Sequence, residues 1–375
     1  MAYIYGKQLV LNLLGSTAAT ELVLLNGRVL GVSGFVHRVV SSFGCGLHTT
    51  LTRLNGTHQP HPRTLDPDPD QLALVSILGL VVGGFVVGCC RNGLENRLHV
   101  QLVDVHTGPM DWQQVTGLAI AGLLVGLGSK LANGCTSGHM LCGVARLSSR
   151  SLIASGTFIP AGIATHLLVG RLAPSTLKLE PEAEPEMPSW WMILFLQTPI
   201  IVCRYLSLLF KNSLGERFAR RMAAFSACFH FALGLSFSGM LRPSKILNFM
   251  NLLPSTAQNG DWDPSLVSVV LGGILPQLFI WKYWLGEYVR RPGTQPALCS
   301  TWLIPHSPSD WRHAFSARLV FGAVLFGIGW GLRGVCPGPG VVLIGVALGG
   351  QSEIWARAGP WVCGLIVGGI FGGMI

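Results

Sequence analysis

Two short segments of this chain place a lone thiol where an apolar helix has to stop. The first is Asn133-Gly134-Cys135-Thr136-Ser137-Gly138-His139, and the second is Gly334-Val335-Cys336-Pro337-Gly338-Pro339-Gly340. Gly, Ser, Asn and Pro favour turns and caps, so the helix before each segment should end there. Thr136 or Ser137 is placed to cap a short helix over 138–149, and Pro337 and Pro339 suit the first turn of one running toward 349. Such half-helices present free N–H groups and a positive dipole end, which attract an anion. A thiol at that point is a weak hydrogen-bond donor and a polarisable contact; as a thiolate it is a nucleophile and a soft-metal ligand. For carrying an anion the neutral thiol is the more economical form, because a thiolate repels its cargo.

Aligned on Cys135 and Cys336, the run-ups agree as well: Gly126 with Gly327, Gly128 with Gly329, and Leu131 with Leu332. The duplication makes Gly134, Cys135, Thr136, Ser137, Gly138, Cys336, Pro337 and Gly338 the candidate substrate path. Cys142, two helical turns beyond Cys135, faces either the same path or the packed side of its short helix. Cys89 and Cys90, near the end of an apolar segment, either line the site or simply pack. His139 either touches the permeating ion or caps backbone carbonyls. Lys130 and Arg333, just before the two breaks, either draw an anion in or snorkel to an interface. Cys203, Cys228 and Cys363 read as core residues. With no Gly-rich nucleotide loop after a predicted strand and no His-Glu-x-x-His, neither an ATP-binding engine nor a metal or cofactor site is expected. No residue is assigned a catalytic role.

These segments need a scaffold, and the composition names it. Half of the 375 residues are apolar, only 11% are charged, and 48 are glycine. A soluble domain of this size needs more charge on its surface, whereas abundant glycine suits close-packed membrane helices. The net charge of +9 falls mainly between apolar segments, which argues against nucleic acid as a partner and for control of membrane orientation. Nine stretches read as transmembrane helices, at about 9–25, 72–94, 114–132, 150–170, 190–210, 219–240, 265–286, 316–333 and 356–375. The N-terminus carries no signal-peptide pattern, so its first apolar stretch reads as a retained span.

Arg28, Arg38, Arg53 and Arg63, the cluster from Arg204 to Arg221, the group Lys282, Arg290 and Arg291, and the pair Arg146 and Arg150 then share one side. The positive-inside rule makes that side cytoplasmic, with the N-terminus outside and the C-terminus in the cytoplasm of a plasma-membrane protein. Asp104 and the acidic linker from Glu180 to Pro188 fall outside. The expected architecture is an all-α polytopic membrane protein. Residues 1–171 form a first transmembrane repeat, 172–218 an acidic linker plus a connecting helix, and 219–375 a second, inverted repeat with short broken or re-entrant helices. Gly27–Gly34 and Gly239–Lys245 are the first break of each repeat, and 51–69, rich in His, Pro and Asp, is a surface loop.

The same residues resemble the sulphur transport family of bacterial and fungal membrane proteins, often called YeeE/YedE. The first half does so through Asn26-Gly27-Arg28-Val29-Leu30-Gly31-Val32-Ser33-Gly34 and the stretch from Gly134 to Ser148. The second does so through Gly239-Met240, Pro243-Ser244-Lys245, Trp262-Asp263-Pro264-Ser265 and Cys336-Pro337-Gly338-Pro339. The resemblance implies uptake of thiosulfate or a related reduced-sulfur anion through an inverted-repeat fold. Central cysteines, here Cys135 and Cys336, would hand the ion along through S–H···S hydrogen bonds. Family members commonly carry a further cysteine near the entrance; here either Cys45, Cys89 or Cys90 substitutes for it, or the entry step differs. A membrane thiol enzyme or sulfur relay is the alternative, with Cys135 passing persulfide sulfur to a partner such as a cytoplasmic sulfurtransferase.

Overall fold

The computed structural model describes residues 2–42, 69–98, 101–104, 110–172, 190–252, 262–305 and 314–375. Thirteen helices carry these residues, and no strand occurs among them. They are α1 (Ala2–Asn26), α2 (32–42), α3 (Pro69–Leu98), α4 (Trp112–Leu131), α5 (Ser137–Val144), α6 (Ser149–Leu172) and α7 (Trp190–Leu214). There follow α8 (Glu216–Phe237), α9 (Pro243–Met250), α10 (Val267–Arg290), α11 (Ala317–Arg333), α12 (Pro337–Leu348) and α13 (Ser352–Met374). The order long, short, long, long, short, long occurs twice, in α1–α6 and in α8–α13, with α7 between. The surface loop at 51–69 and the acidic linker lie outside the described residues, apart from Pro69 at the start of α3, as does Cys45.

Six helices, α3, α4, α6, α7, α10 and α13, are long and apolar enough to cross a membrane. The pair α11–α12, bent by 42° at its break, adds a seventh if taken as one span. This is a polytopic membrane protein, but the count falls short of the nine spans expected. The two shortfalls are α1 and α8, long helices that carry Asn12, Glu21, Arg217, Arg220 and several Ser and Thr residues. Their position explains the composition. They pack against each other and are flanked by α3, α7 and α10, and most of α8 from Ala223 onward is buried. A helix surrounded by protein rather than lipid has no need of an all-apolar surface.

Contacts between the two sets of helices come in matched pairs. α4 packs along α13 as α11 packs along α6, and α3 packs along α8 as α10 packs along α1. α4 and α11 run antiparallel: Gly329 lies on Ala121 and Val125, while Gly322 lies on Leu131 and Ala132. Glycines at a spacing of four make the α4–α13 approach possible. A methyl group on Gly122 or Gly126 would meet the backbone of Trp361 or Leu365, and one on Gly364 or Gly368 that of Ala119 or Leu123. Backbones this close gain dispersion contacts that lipid-facing leucines would forfeit.

The connecting segments sort into two ends of α8, which is about 33 Å long at 1.5 Å per residue. At its start, Asn26 Nδ2 donates to the Arg220 carbonyl (3.1 Å), and the 291–305 segment folds over the end of α1 through Leu298 N to Leu25 O (2.9 Å) and Leu303 N to Gly27 O (2.8 Å). Lys211 Nζ reaches the Ala297 carbonyl (2.8 Å) and Arg146 the Pro305 carbonyl (3.3 Å), so this end gathers Arg146, Lys211 and Arg220 with Arg290 and Arg291. Beyond the far end of α8 lie Arg242 and Asp104 (3.0 Å), and α3, which runs alongside, brings Arg91 to Glu95 and Glu353.

Candidate functional site

Both long helices that precede the thiols end in the same way. Asn133 (φ 56°) and Gly334 (φ 67°), which align with each other, adopt the left-handed conformation that closes a helix. Gly334 N then bonds Trp330 O at 2.7 Å and Gly134 N bonds Ser129 O at 2.9 Å, which satisfies carbonyls of the final turns. Gly334 has a second constraint, because any side chain there would run into the Pro243 carbonyl and Leu247 of α9. Past each turn the chain starts a new helix on the cysteine: His139 N bonds the Cys135 carbonyl (2.7 Å) and Gly340 N the Cys336 carbonyl (2.9 Å). Cys336 is the N-cap of α12, with Pro337 in the first turn. The first short helix differs from expectation, since α5 is wound more widely than an α-helix and ends at Val144, not 149. Neither Thr136 nor Ser137 caps it, because Ser137 is engaged elsewhere.

That engagement joins the first break of the chain to the second. Val32 N, at the start of α2, donates to Ser137 Oγ (3.1 Å), and Ser33 N donates to Cys135 Sγ (3.5 Å). Cys135 Sγ and Ser137 Oγ lie 3.2 Å apart. The Cys142 thiol donates to the Leu30 carbonyl (3.5 Å) and so ties α5 to the same turn. From the other set of helices, Cys336 arrives within hydrogen-bond reach of the Thr136 side chain and within electrostatic reach of Cys135. Cys135, Cys142 and Cys336 are all buried. The helices therefore bring together Cys135, Thr136, Ser137, Cys142 and Cys336, residues that the sequence places in two separate segments.

Two cavities flank this cluster. A central one of about 210 Å³ is lined mainly by apolar side chains of α5, α8 and α10, and it also touches Asn12 of α1, Thr136, Ser137, Gly338 and Pro339. A larger one of about 290 Å³ reaches Val335 and Gly340 and is bounded by Asp104, Ser244, Arg333, Glu353 and Arg357. Val335 and Gly340 line the larger cavity and Gly338 and Pro339 the central one, so Cys336, which lines neither, sits in the wall between them.

Other expected site residues are placed elsewhere. His139 sits with Nδ1 3.1 Å from Ser151 Oγ and Nε2 3.3 Å from the Ala132 carbonyl, so it braces the α4–α6 corner. Gly134 gives room to that ring, and Gly138 faces Gly31 of the first break. Cys89 and Cys90 are exposed on α3, and Cys89 abuts Gly349 just beyond the end of α12. The twelve residues of α12 put that point about 18 Å from Cys336. Of the cysteines assigned to the core, Cys228 is buried, but Cys363 is exposed, on the outward side of α13.

Asp104 was not anticipated as part of this region. Its carboxylate accepts from Arg242 Nε (3.0 Å), Ser244 Oγ (2.7 Å) and Ser244 N (2.9 Å), so it holds the start of α9. The available signal was the Pro243-Ser244 helix start, which calls for an acceptor; nothing local says which carboxylate supplies it.

A polytopic helical membrane protein with paired helix breaks around a thiol cluster belongs among membrane transport proteins, and comparison with known proteins agrees. Residues 9–165 match the family model described as sulphur transport, and residues 220–373 match one described as a family of unknown function (DUF6691). A probable transporter of Xylella fastidiosa (strain 9a5c) is 35% identical over 130 residues, which is 35% of this chain and 78% of the relative. Another probable transporter of that strain is 31% identical over 149 residues, 40% of this chain and 83% of the relative. The chain belongs to the sulphur transport family. No solved structure matches it.

Proposed function

We infer that this protein takes up thiosulfate, or a closely related small sulfur-containing anion, along a path on which Cys336 and Cys135 are successive contacts. The observation that carries the reading is the position of Cys336 in the wall between two cavities, within reach of Thr136 and Cys135 from the other set of helices. If the Ser137 hydroxyl donates to Cys135 Sγ, the Cys135 S–H is left to donate to a solute; Cys336 offers a second S–H at the start of α12. Weak, polarisable donors suit the soft terminal sulfur of thiosulfate. Gly134, Gly138, Pro337 and Gly338 shape the turns, while His139 holds the corner behind them.

The two sets of helices read as inverted repeats, 1–171 and 219–375, which the antiparallel pairing of α4 with α11 supports. With the arginine-rich end of α8 in the cytoplasm of a plasma-membrane protein, the larger cavity faces outside. The C-terminus then lies inside and the N-terminus outside. A negative-inside potential opposes anion entry by about 2.3 kcal/mol per charge per 100 mV, so a dianion needs a coupled gradient or rapid consumption within the cell. A cytoplasmic sulfurtransferase is the kind of partner that would consume it.

The test is uptake of labelled thiosulfate into liposomes containing the purified protein, with sulfate and selenite as competitors and with ion gradients varied. Saturable uptake that thiosulfate suppresses better than sulfate is expected. Uptake no faster than into protein-free liposomes would remove the proposal.

A further inference from the structure

The larger cavity is bounded by four charged side chains, Asp104, Glu353, Arg333 and Arg357, and Glu353 shares Arg91 with Glu95. Asp104 holds Arg242 and Ser244, and Glu353 lies 3.7 Å from Arg91. Arg333 and Arg357 also line the cavity and form no ion pair with any described residue. Asp104 lies within electrostatic reach of Arg357 without bonding it. Both arginines are half-buried, a costly position for a cation that no carboxylate bonds directly. The Arg333 guanidinium rests on α4 at Gly117, where an added Cβ would push it aside. The C-terminal dipole of α11 accounts for a basic residue at 333, but not for Arg357, which lies in the second turn of α13. Trp361, in the same wall, adds a buried indole N–H with no acceptor among the described residues.

We propose that this cavity is a vestibule with its own anion site, in which Arg333 and Arg357 bind a tetrahedral sulfur oxyanion dianion before it reaches Cys336. The proposal rests on the transport reading and adds a site to it. Two guanidinium groups in one wall can hold a divalent oxyanion between them, and their forked donors match its oxygens. The thiol at Cys336 is then presented to an ion whose oxygens are already held, so the cavity selects for charge and the turn for sulfur.

The test has two arms. In proteoliposomes, initial rates of thiosulfate uptake are measured against concentration for the parent protein and for Arg333→Gln, Arg357→Gln and both lysine variants. About a tenfold rise in half-saturating concentration is expected for each Gln variant, with the maximal rate largely kept and with partial recovery in the Lys variants. In nanodiscs, equilibrium binding of labelled thiosulfate and sulfate is measured on the parent protein and on Cys336→Ser. Both anions should bind, Cys336→Ser should retain binding, and Arg333→Gln/Arg357→Gln should lose it. Uptake with an unchanged half-saturating concentration in the Gln variants overturns the vestibule and leaves transport standing. Arginine-dependent binding without uptake sustains the vestibule and removes the transport reading. A lower maximal rate with unchanged affinity and lowered thermal stability assigns the arginines a purely structural role and also overturns the proposal.

Discussion

Replacing Asp104 by alanine should loosen the start of α9 more than any other single change at the far end of α8. The carboxylate pairs with Arg242 at 3.0 Å, and the two side chains are only 12% and 4% exposed. Removing one member of a pair this buried costs up to about 3–5 kcal/mol, because the remaining buried charge loses this counter-ion. Ser244 loses acceptors for both its hydroxyl and its backbone N–H, which places the result toward the upper part of that range. For a chain of this size the expected fall in melting temperature is roughly 4–6 °C, read by tryptophan fluorescence in detergent at a fixed scan rate.

A second substitution separates the ion pair from simple loss of volume. In Asp104→Ala/Arg242→Met the buried charge that lost Asp104 is gone, so the double variant should be more stable than Asp104→Ala alone by about 1 kcal/mol. Arg242 has a further interaction besides Asp104, which keeps the recovery incomplete. Asp104→Asn retains an oxygen for Ser244 N and should fall between the parent and the alanine variant. Equal melting temperatures for Asp104→Ala and the parent, or a double variant no better than the single one, would falsify the assignment of Asp104 as the anchor of α9.

Other substitutions test different parts of the structure. Cys135→Ser and Cys336→Ser should abolish thiosulfate uptake while membrane insertion and the size-exclusion profile stay normal; normal uptake by both would remove the thiols from the path. Cys89 and Cys90 should be modified rapidly by a membrane-permeant maleimide, as exposed thiols are, and Cys89→Ser/Cys90→Ser should transport normally. Gly368→Leu places side-chain atoms against the backbone of Leu123 and should cost about 1–3 kcal/mol or more, seen as a lower melting temperature. Gly359→Ala, with open space around it, is the control and should be neutral or slightly stabilising. His139→Ala leaves the Ser151 hydroxyl and the Ala132 carbonyl without their imidazole partner, so it should lower stability by about 1–3 kcal/mol; a loss of uptake at unchanged stability would return His139 to the path.

The breaks were legible in the sequence because their causes are local. Asn133 and Gly334 adopt a conformation that few other residues tolerate, and Pro337 starts a helix as readily as it ends one. The all-helical membrane architecture was legible for a similar reason, since apolar length is a property of each segment alone. The span count was less so. α1 and α8 are sheathed by other helices, and burial in protein releases them from the composition that lipid imposes. The long-range pairings were not legible at all. Asp104 finds Ser244 across 140 positions, and Ser33 finds Cys135 across 102, with nothing in either local pattern to name the partner. His139 shows the same limit from the other side: its place in the motif left its role open, and Ser151, from the next helix, supplies the geometry that turns it away.

The chemical character of the surroundings changes along the proposed path, and the order of the change bears on how an anion would move. The larger cavity presents charged guanidinium groups, the wall between the cavities a thiol, and the central cavity mostly apolar side chains with Asn12 and the hydroxyls of Thr136, Ser137 and Ser238. A charge moved from water into such walls is costly unless donors accompany it. If those donors were as strong as a guanidinium pair at every step, the ion would bind and stay. Conduction requires sites strong enough to admit the ion and weak enough to release it. A thiol meets the second condition better than an ammonium or guanidinium group does, because its hydrogen bond is weak and it carries no charge while protonated. On this reasoning, exchanging Cys336 for a stronger donor would impair flux even though it strengthened binding. Cys336→Lys should therefore hold thiosulfate more tightly in nanodiscs and transport it more slowly in liposomes. Faster uptake by that variant would overturn the argument that weak donors are what the turn requires.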